Sequence, residues 1–170
     1  MLHWMIGSIR KNKIFEVYAG SGIAICSTLL ILGFVGWHVD LKNTLISQIL
    51  QFAGNILYAS AVLLVIITVV TLRHKGRPTS TVEDTTVLIN KGIFGIIRHP
   101  LYLGGSFWAV GLMLLIQSFP SAILGILALI CFWMASKKED EFNVKKFGNS
   151  YKNYTKEVPM WNILAGLKTR

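Results

Sequence analysis

Acidic residues are scarce in this chain: 8 Asp and Glu stand against 17 Lys and Arg, and charged residues of both signs make up only 15% of the total. With 53% hydrophobic residues and a mean hydropathy of +0.55, the sequence is too apolar for an ordinary soluble domain. Cysteine is scarce as well. Cys26 and Cys131 both lie inside apolar runs, with no CxxC spacing and no nearby His, which excludes a zinc site and a disulfide framework. Neither GxGxxG nor GxxxxGK[ST] occurs, so no phosphate-cradling loop is encoded, and no serine stands in a nucleophile-elbow setting. No internal repeat or low-complexity tract is present.

What the chain does have is long uncharged runs. Its 170 residues allow one domain with a handful of membrane spans. Val17–Trp37 contains no charge and is long enough to cross ~30 Å of hydrocarbon at ~1.5 Å per residue. Gly33, Gly36 and the interfacial anchor Trp37 end it. Leu45–Leu72 is again uncharged, and Pro100–Ser136 carries no charge across 37 residues. The stretch Gln117-Ser118-Phe119-Pro120-Ser121 breaks that last run into two halves, which reads as a tight helical hairpin. The expected fold is therefore all-α, a polytopic integral membrane protein with spans over about 16–37, 45–72, 100–117 and 120–136.

The connecting segments complete the expectation. Residues 1–13 (MLHWMIGSIRKNK) read as a short interfacial amphipathic helix or a disordered start. They do not read as a signal peptide, because the uncharged run after Arg10, Lys11 and Lys13 is too long for an h-region. Gln48, Gln51 and Asn55 share one helical face and are expected to hydrogen-bond neighbouring helices. Arg73–Arg98 is a long polar loop broken at Gly76-Arg77-Pro78, and its later apolar residues (Leu88, Ile89, Ile93, Phe94, Ile96, Ile97) argue for order. After Lys137-Lys138-Glu139-Asp140-Glu141, the spacing of Val144, Phe147, Tyr151 and Tyr154 predicts an amphipathic helix lying on, or folding back over, the membrane face, ended by Val158-Pro159.

Topology follows from the basic residues. With four spans, 16 of the 17 Lys and Arg fall on one side, which the positive-inside rule makes cytoplasmic, together with both termini and the central loop. The net charge of +9 would suggest nucleic acid in a soluble protein. Here it flanks apolar runs, so topology and anionic headgroups account for it, and no nucleic-acid partner is expected.

One stretch concentrates chemistry. Arg98-His99-Pro100-Leu101-Tyr102-Leu103-Gly104-Gly105 sets a guanidinium, an imidazole and a phenol where the polar loop meets an apolar run. Pro100 suits the first turn of a helix and holds His99 toward an extended backbone, so the helix should start at Pro100. The same topology brings Arg98, His99 and Tyr102 to the same side as Glu139–Glu141. From spacing alone, anchoring of helix ends and a functional site both fit, anchoring being the commoner use. A lone His without a partner at metal-ligand spacing gives no metal site.

The stretch Leu88 to Gly104 (LINKGIFGIIRHPLYLG), then Glu139-Asp140, Phe147-Gly148, Tyr151, Tyr154 and Val158-Pro159, resembles the catalytic half of a family of membrane methyltransferases. These are the isoprenylcysteine carboxyl methyltransferases and their phospholipid methyltransferase relatives. The shared pattern is RHPxYxG, an apolar hairpin, two adjacent acids, FGxxYxxY and VP. The ordered set is fairly specific, although sterol reductases of related architecture share parts of it. The resemblance implies S-adenosylmethionine as methyl donor, S-adenosylhomocysteine as product, and a cofactor-binding half over 86–159. By position it implies cofactor contacts from Leu88, Ile89, Phe94, His99, Pro100, Leu101, Tyr102, Glu139 and Asp140; the candidate catalytic residues are Arg98, suited to hold an anionic headgroup or carboxylate bidentately, with His99 and Glu139. It implies a lipid, a hydrophobic small molecule or a lipid-modified acceptor, met among membrane lipids, and no metal. The chain departs from the pattern at Thr86, where relatives often have His, at Asp140, usually a second Glu, and at Ala135, where the prenylcysteine enzymes have an Arg associated with substrate. The last departure means that a prenylcysteine carboxylate is not simply carried over.

Two alternatives are a non-enzymatic four-span protein, such as a small transporter, and a reductase-like relative. A small transporter should show an ionisable residue deep in a span, and Glu16 lies only at an edge. A reductase-like relative using NADPH should show a basic cluster for the 2′-phosphate and a longer chain.

Overall fold

Where described, the uncharged runs fold as helices, the last of them as a hairpin of two. The structure, a computed structural model, describes residues 13–36, 44–77 and 85–168. Expectations for the N-terminal twelve residues, for Trp37 and for the first loop lie outside these residues. The described part is α-helical, with α1 Ile14–Phe34, α2 Leu45–Lys75, α3 Pro100–Ile116, α4 Phe119–Phe147, α5 Asn149–Glu157 and α6 Ile163–Lys168, plus a 3-10 turn at Gly92–Gly95. Three helices, α1, α2 and α4, are long and apolar enough to cross a membrane, while the equally apolar α3 has 17 residues.

Local sequence explains the helix ends. Thr44 caps α2 by accepting from the Ser47 N–H, and Arg73, His74 and Lys75 fill its last turn, where cations complement the helix dipole. Gln117, in the left-handed conformation at φ +51°, ends α3. Ser118 then starts α4 with a reciprocal capping box to Ser121, so only two residues make the hairpin turn.

Small residues set the packing. Gly54 of α2 and Gly111 of α3 meet backbone to backbone, since a Cβ on either would come within 3.1 Å of the other's carbonyl oxygen. The Phe132 ring of α4 fills the space between Gly22 of α1 and Gly105 of α3. At one end of the bundle the Ser47 hydroxyl donates to the Gln117 side-chain oxygen at 2.8 Å. At the other end Phe15 packs on Phe142 with 5.3 Å between ring centroids. That second end gathers the start of α1, the end of α2, the start of α3 and the charged part of α4.

Two expectations need correction. The exposed amides of Gln51 and Asn55 bond within α2, to Ser47 and to the Gln51 carbonyl, rather than to neighbouring helices. The stretch after the last apolar residues is not one amphipathic helix beginning afresh. Instead α4 continues eleven residues past Ser136 to Phe147, and Gly148, at φ +60°, breaks it before α5. Tyr151 and Tyr154 of α5 are buried with Val158 against Leu88, Val144 and Phe147, so this face packs on the central loop.

Candidate active site

Pro100 opens α3 as expected, and His99 is its N-cap. The backbone there is pinned from the far end of the chain: the Arg98 N–H donates to the Pro159 carbonyl at 3.0 Å and the His99 N–H to Met160 at 3.4 Å. Trp161 follows, packs on the bundle core, and donates from Nε1 to the buried Ser136 hydroxyl at 3.1 Å. The tail after Val158-Pro159 thus straps the polar loop to α4. Sequence reasoning missed it, and the only signal was a lone Trp in a segment with some apolar residues.

His99 is 4% exposed and lies between two carboxylates. Its Nε2 is 2.7 Å from Asp140 Oδ1 and its Nδ1 is 3.3 Å from Glu139 Oε2. Only the doubly protonated ring donates to both at once. Burial alone would lower its pKa, but hydrogen bonds to Asp140 and Glu139 and their negative charges outweigh burial and raise it from 6.5 to about 9. The ring also stacks on Tyr102 at 5.7 Å.

Asp140 is the hub. It takes the His99 proton donor and the Tyr151 hydroxyl, at 2.6 Å, on Oδ1, and the Arg98 guanidinium, at 3.3 Å, on Oδ2. Burial works against its charge, yet the bonds from His99 and Tyr151 and the nearby cations hold its carboxyl below the usual range. Burial and the Asp140 charge push the Tyr151 phenol far above its ordinary value, and burial does the same for Tyr154, whose hydroxyl donates to the Phe94 carbonyl. Arg98 Nε is buried with no hydrogen-bond partner among the described residues.

Most of these groups border one pocket. Leu88, Ile89, Phe94, Arg98, His99, Pro100, Leu101, Tyr102 and Glu139, all singled out in the sequence, line it. Asp140 does not; it sits behind His99 and Arg98. The wall also includes residues outside the expected set. Thr68 and Leu72 form its α2 side, Asn143 lies one helical turn after Glu139, and Thr85, Phe147, Tyr151 and Tyr154 close the rest. Helical spacing from Glu139 pointed to Asn143, whereas nothing in the sequence marked Thr68. Thr86 turns away and bonds the end of α2, its N–H to the Gly76 carbonyl and its hydroxyl to that of Arg77. Ala135 is fully buried in the core and does not reach the cavity.

The chemistry of the wall suits a zwitterionic, aromatic-bearing cofactor. Glu139 and the Asn143 amide offer polar contacts for an ammonium or sugar hydroxyls, the Phe and Tyr rings offer flat faces, and Arg98 offers a planar donor set for an anion.

The family model described as "Phospholipid methyltransferase" matches residues 49–150. Among curated proteins, the chain is 38% identical over 74 residues to the protein-S-isoprenylcysteine O-methyltransferase of Schizosaccharomyces pombe, covering 43% of this chain and 31% of that protein. It is 31% identical over 87 residues to the protein of the same name from Dictyostelium discoideum, covering 50% of this chain and 35% of that one. For the Homo sapiens protein the figures are 29% over 78 residues, 45% and 28%. The matched part is thus about a third of the length of these relatives. No solved structure gives a significant match.

Proposed function

The chain belongs to the phospholipid methyltransferase family, and from that membership we propose that it is an integral membrane methyltransferase moving a methyl group from S-adenosylmethionine to a lipidic or lipid-modified acceptor. The observation that carries this reading is the single cavity bordered by both distant polar stretches, Arg98–Tyr102 and Glu139.

In this reading α3 is a fourth span, since 17 residues reach about 26 Å. The site then lies at the cytoplasmic ends of the spans, with both termini on that side, because the basic residues gather there. The lysines of α5 face the headgroups while its tyrosines cover the cavity.

When bound, S-adenosylmethionine supplies an electrophilic methyl on a positively charged sulfur. The residues of the chain position and shield. Glu139 receives the cofactor's ammonium or ribose hydroxyls and offsets positive charge, and Leu88, Ile89, Phe94, Pro100, Leu101 and Tyr102 exclude water from the transfer. Asp140 acts through others: it fixes the His99 ring and the Arg98 plane. Arg98 then holds an anionic group of the acceptor with its free N–H groups. His99, paired on both nitrogens, is a cationic clamp on the two acids and not a base. With the tyrosines also held protonated, the wall favours an acceptor whose attacking atom arrives without a proton, such as a carboxylate. The relatives are named for methylating isoprenylcysteine on oxygen, which agrees in class.

The test is transfer of label. Purified protein, incubated with methyl-labelled S-adenosylmethionine and a membrane extract, should label an organic-extractable product, and Glu139→Ala should not. Equal labelling by the two proteins would overturn the assignment.

A further inference from the structure

The back of the helix that carries Glu139 bears a second, smaller cavity, lined by Ile14, Lys138, Glu141, Phe142 and Lys145. It shares no residue with the candidate active site. Helical periodicity explains the separation: positions 139 and 143 face one way, and 138, 141, 142 and 145 face the other.

Its depth is set by the sequence. Lys137 and Lys138 are the first charges after the uncharged run ending at Ser136, and Ile14 stands at the first turn of α1. The exposed ring of Trp133 lies 5.4 Å beneath the Lys137 ammonium, as an aromatic anchor does at the headgroup boundary. The cavity therefore opens where hydrocarbon gives way to headgroups.

Its chemistry is a cationic rim over an apolar floor. Lys138 gives two of its three N–H donors to Glu141, at 2.9 and 3.0 Å, and keeps one for a second anion, while the Lys13 and Glu16 charges nearby pair at 3.6 Å. Lys145, two turns beyond Lys138 on the same face, has no carboxylate within ion-pair distance among the described residues. The Ile14 side chain and the Phe142 ring form the floor. A net positive rim at this depth, with carbon beneath it, matches a phosphodiester whose negative charge is not cancelled by its own ammonium.

We propose that this cavity binds the headgroup of an anionic glycerophospholipid. Lys138 and Lys145 hold the phosphodiester, while Ile14 and Phe142 meet the glycerol and the first methylenes of the acyl chains. Binding here braces the start of α1 against the charged extension of α4, the helix on whose other face Glu139 lies.

The test uses the full chain in neutral detergent, with lipid retained on the protein counted by native mass spectrometry across a titration. Phosphatidylglycerol should bind at one preferred site, and phosphatidylcholine at the same concentration should not. The double variant Lys138→Gln/Lys145→Gln should bind phosphatidylglycerol roughly 30-fold more weakly, about fivefold for each lysine removed. Lys152→Gln, on α5 away from the cavity, should bind as the parent does. S-adenosylhomocysteine affinity serves as the fold control for the double variant. Equal retention by double variant and parent, or equal binding of the two lipids, would overturn the proposal. So would full displacement of the lipid by millimolar inorganic phosphate, because it would make the site one for free anions.

Discussion

His99 and Asp140 stand 41 positions apart and meet through a 2.7 Å hydrogen bond between Nε2 and Oδ1. The first is the N-cap of α3 and the second lies on the extension of α4 beyond its apolar part, so this bond ties the two arms of the hairpin at their polar ends. Arg98 and Tyr151 join the same carboxylate. What binds to the cavity meets a wall already organised from behind.

Asp140→Asn should therefore destabilise the protein and change its pH response. Removing one partner of a buried ion pair costs on the order of 3 kcal/mol. The folded-state pKa of His99 is raised, from 6.5 to about 9. Its contribution to stability is thus complete below pH 6.5 and is lost as pH rises through about 9. Thermal unfolding from pH 6 to 9.5 should show the parent losing stability across that window and the variant losing much less. Parallel curves would contradict the pairing.

Glu139→Gln separates binding from folding. Glu139 faces the cavity and, among the described residues, keeps only the longer, 3.3 Å contact to His99. The Tm should move little, while affinity for S-adenosylhomocysteine falls at least about tenfold, as for loss of a charged hydrogen bond worth about 1.5–3 kcal/mol. Calorimetry giving unchanged affinity would remove Glu139 from the cofactor wall.

Trp161→Phe tests the strap. It keeps a six-membered aromatic ring but removes the pyrrole part of the indole, and with it the donor to the fully buried Ser136 hydroxyl. A loss of about 1 kcal/mol in stability is expected from that bond. Trp161→Ala should cost about 3–5 kcal/mol and weaken cofactor binding as well, because the pairing of Arg98 and His99 with Pro159 and Met160 loosens. Chemical denaturation of both variants checks the ranking.

Two glycines should respond differently to alanine. A Cβ at Gly105 would come within 2.7 Å of the Phe132 ring, which is itself wedged against Gly22. Gly105→Ala should cost about 1–3 kcal/mol. At Gly33 a Cβ would stop 3.3 Å from Ile116 Cγ1 and 3.4 Å from its Cδ1, close to ordinary contact, so Gly33→Ala should be nearly neutral. Thermal shifts of similar size would contradict this packing.

The helices were legible because lipid-facing residues need not alternate with polar ones, so an uncharged run is itself the signal. The same signal misled about α4: hydropathy marks where the hydrocarbon ends, and the helix runs on through Lys137–Phe147. The site was legible as a short dense cluster from Arg98 to Tyr102 and a pair of acids. Which acid faces the cavity was not, since Glu139 and Asp140 are neighbours and only the rotation of α4 separates their roles. The α2 contribution of Thr68 and Leu72, and the closure by Trp161, depend on packing between segments remote in sequence. The spacing of Gln51 and Asn55 suggests interhelical bonds, but their face of α2 is exposed and their partners lie within the same helix.

The most direct measurement is calorimetry of S-adenosylhomocysteine with the purified chain in detergent. Saturable binding at micromolar strength is expected, with no competition from NADPH. Folded protein that gives no binding heat at millimolar ligand, or a site that NADPH competes for, would contradict a methyl-donor pocket walled by His99 and Glu139.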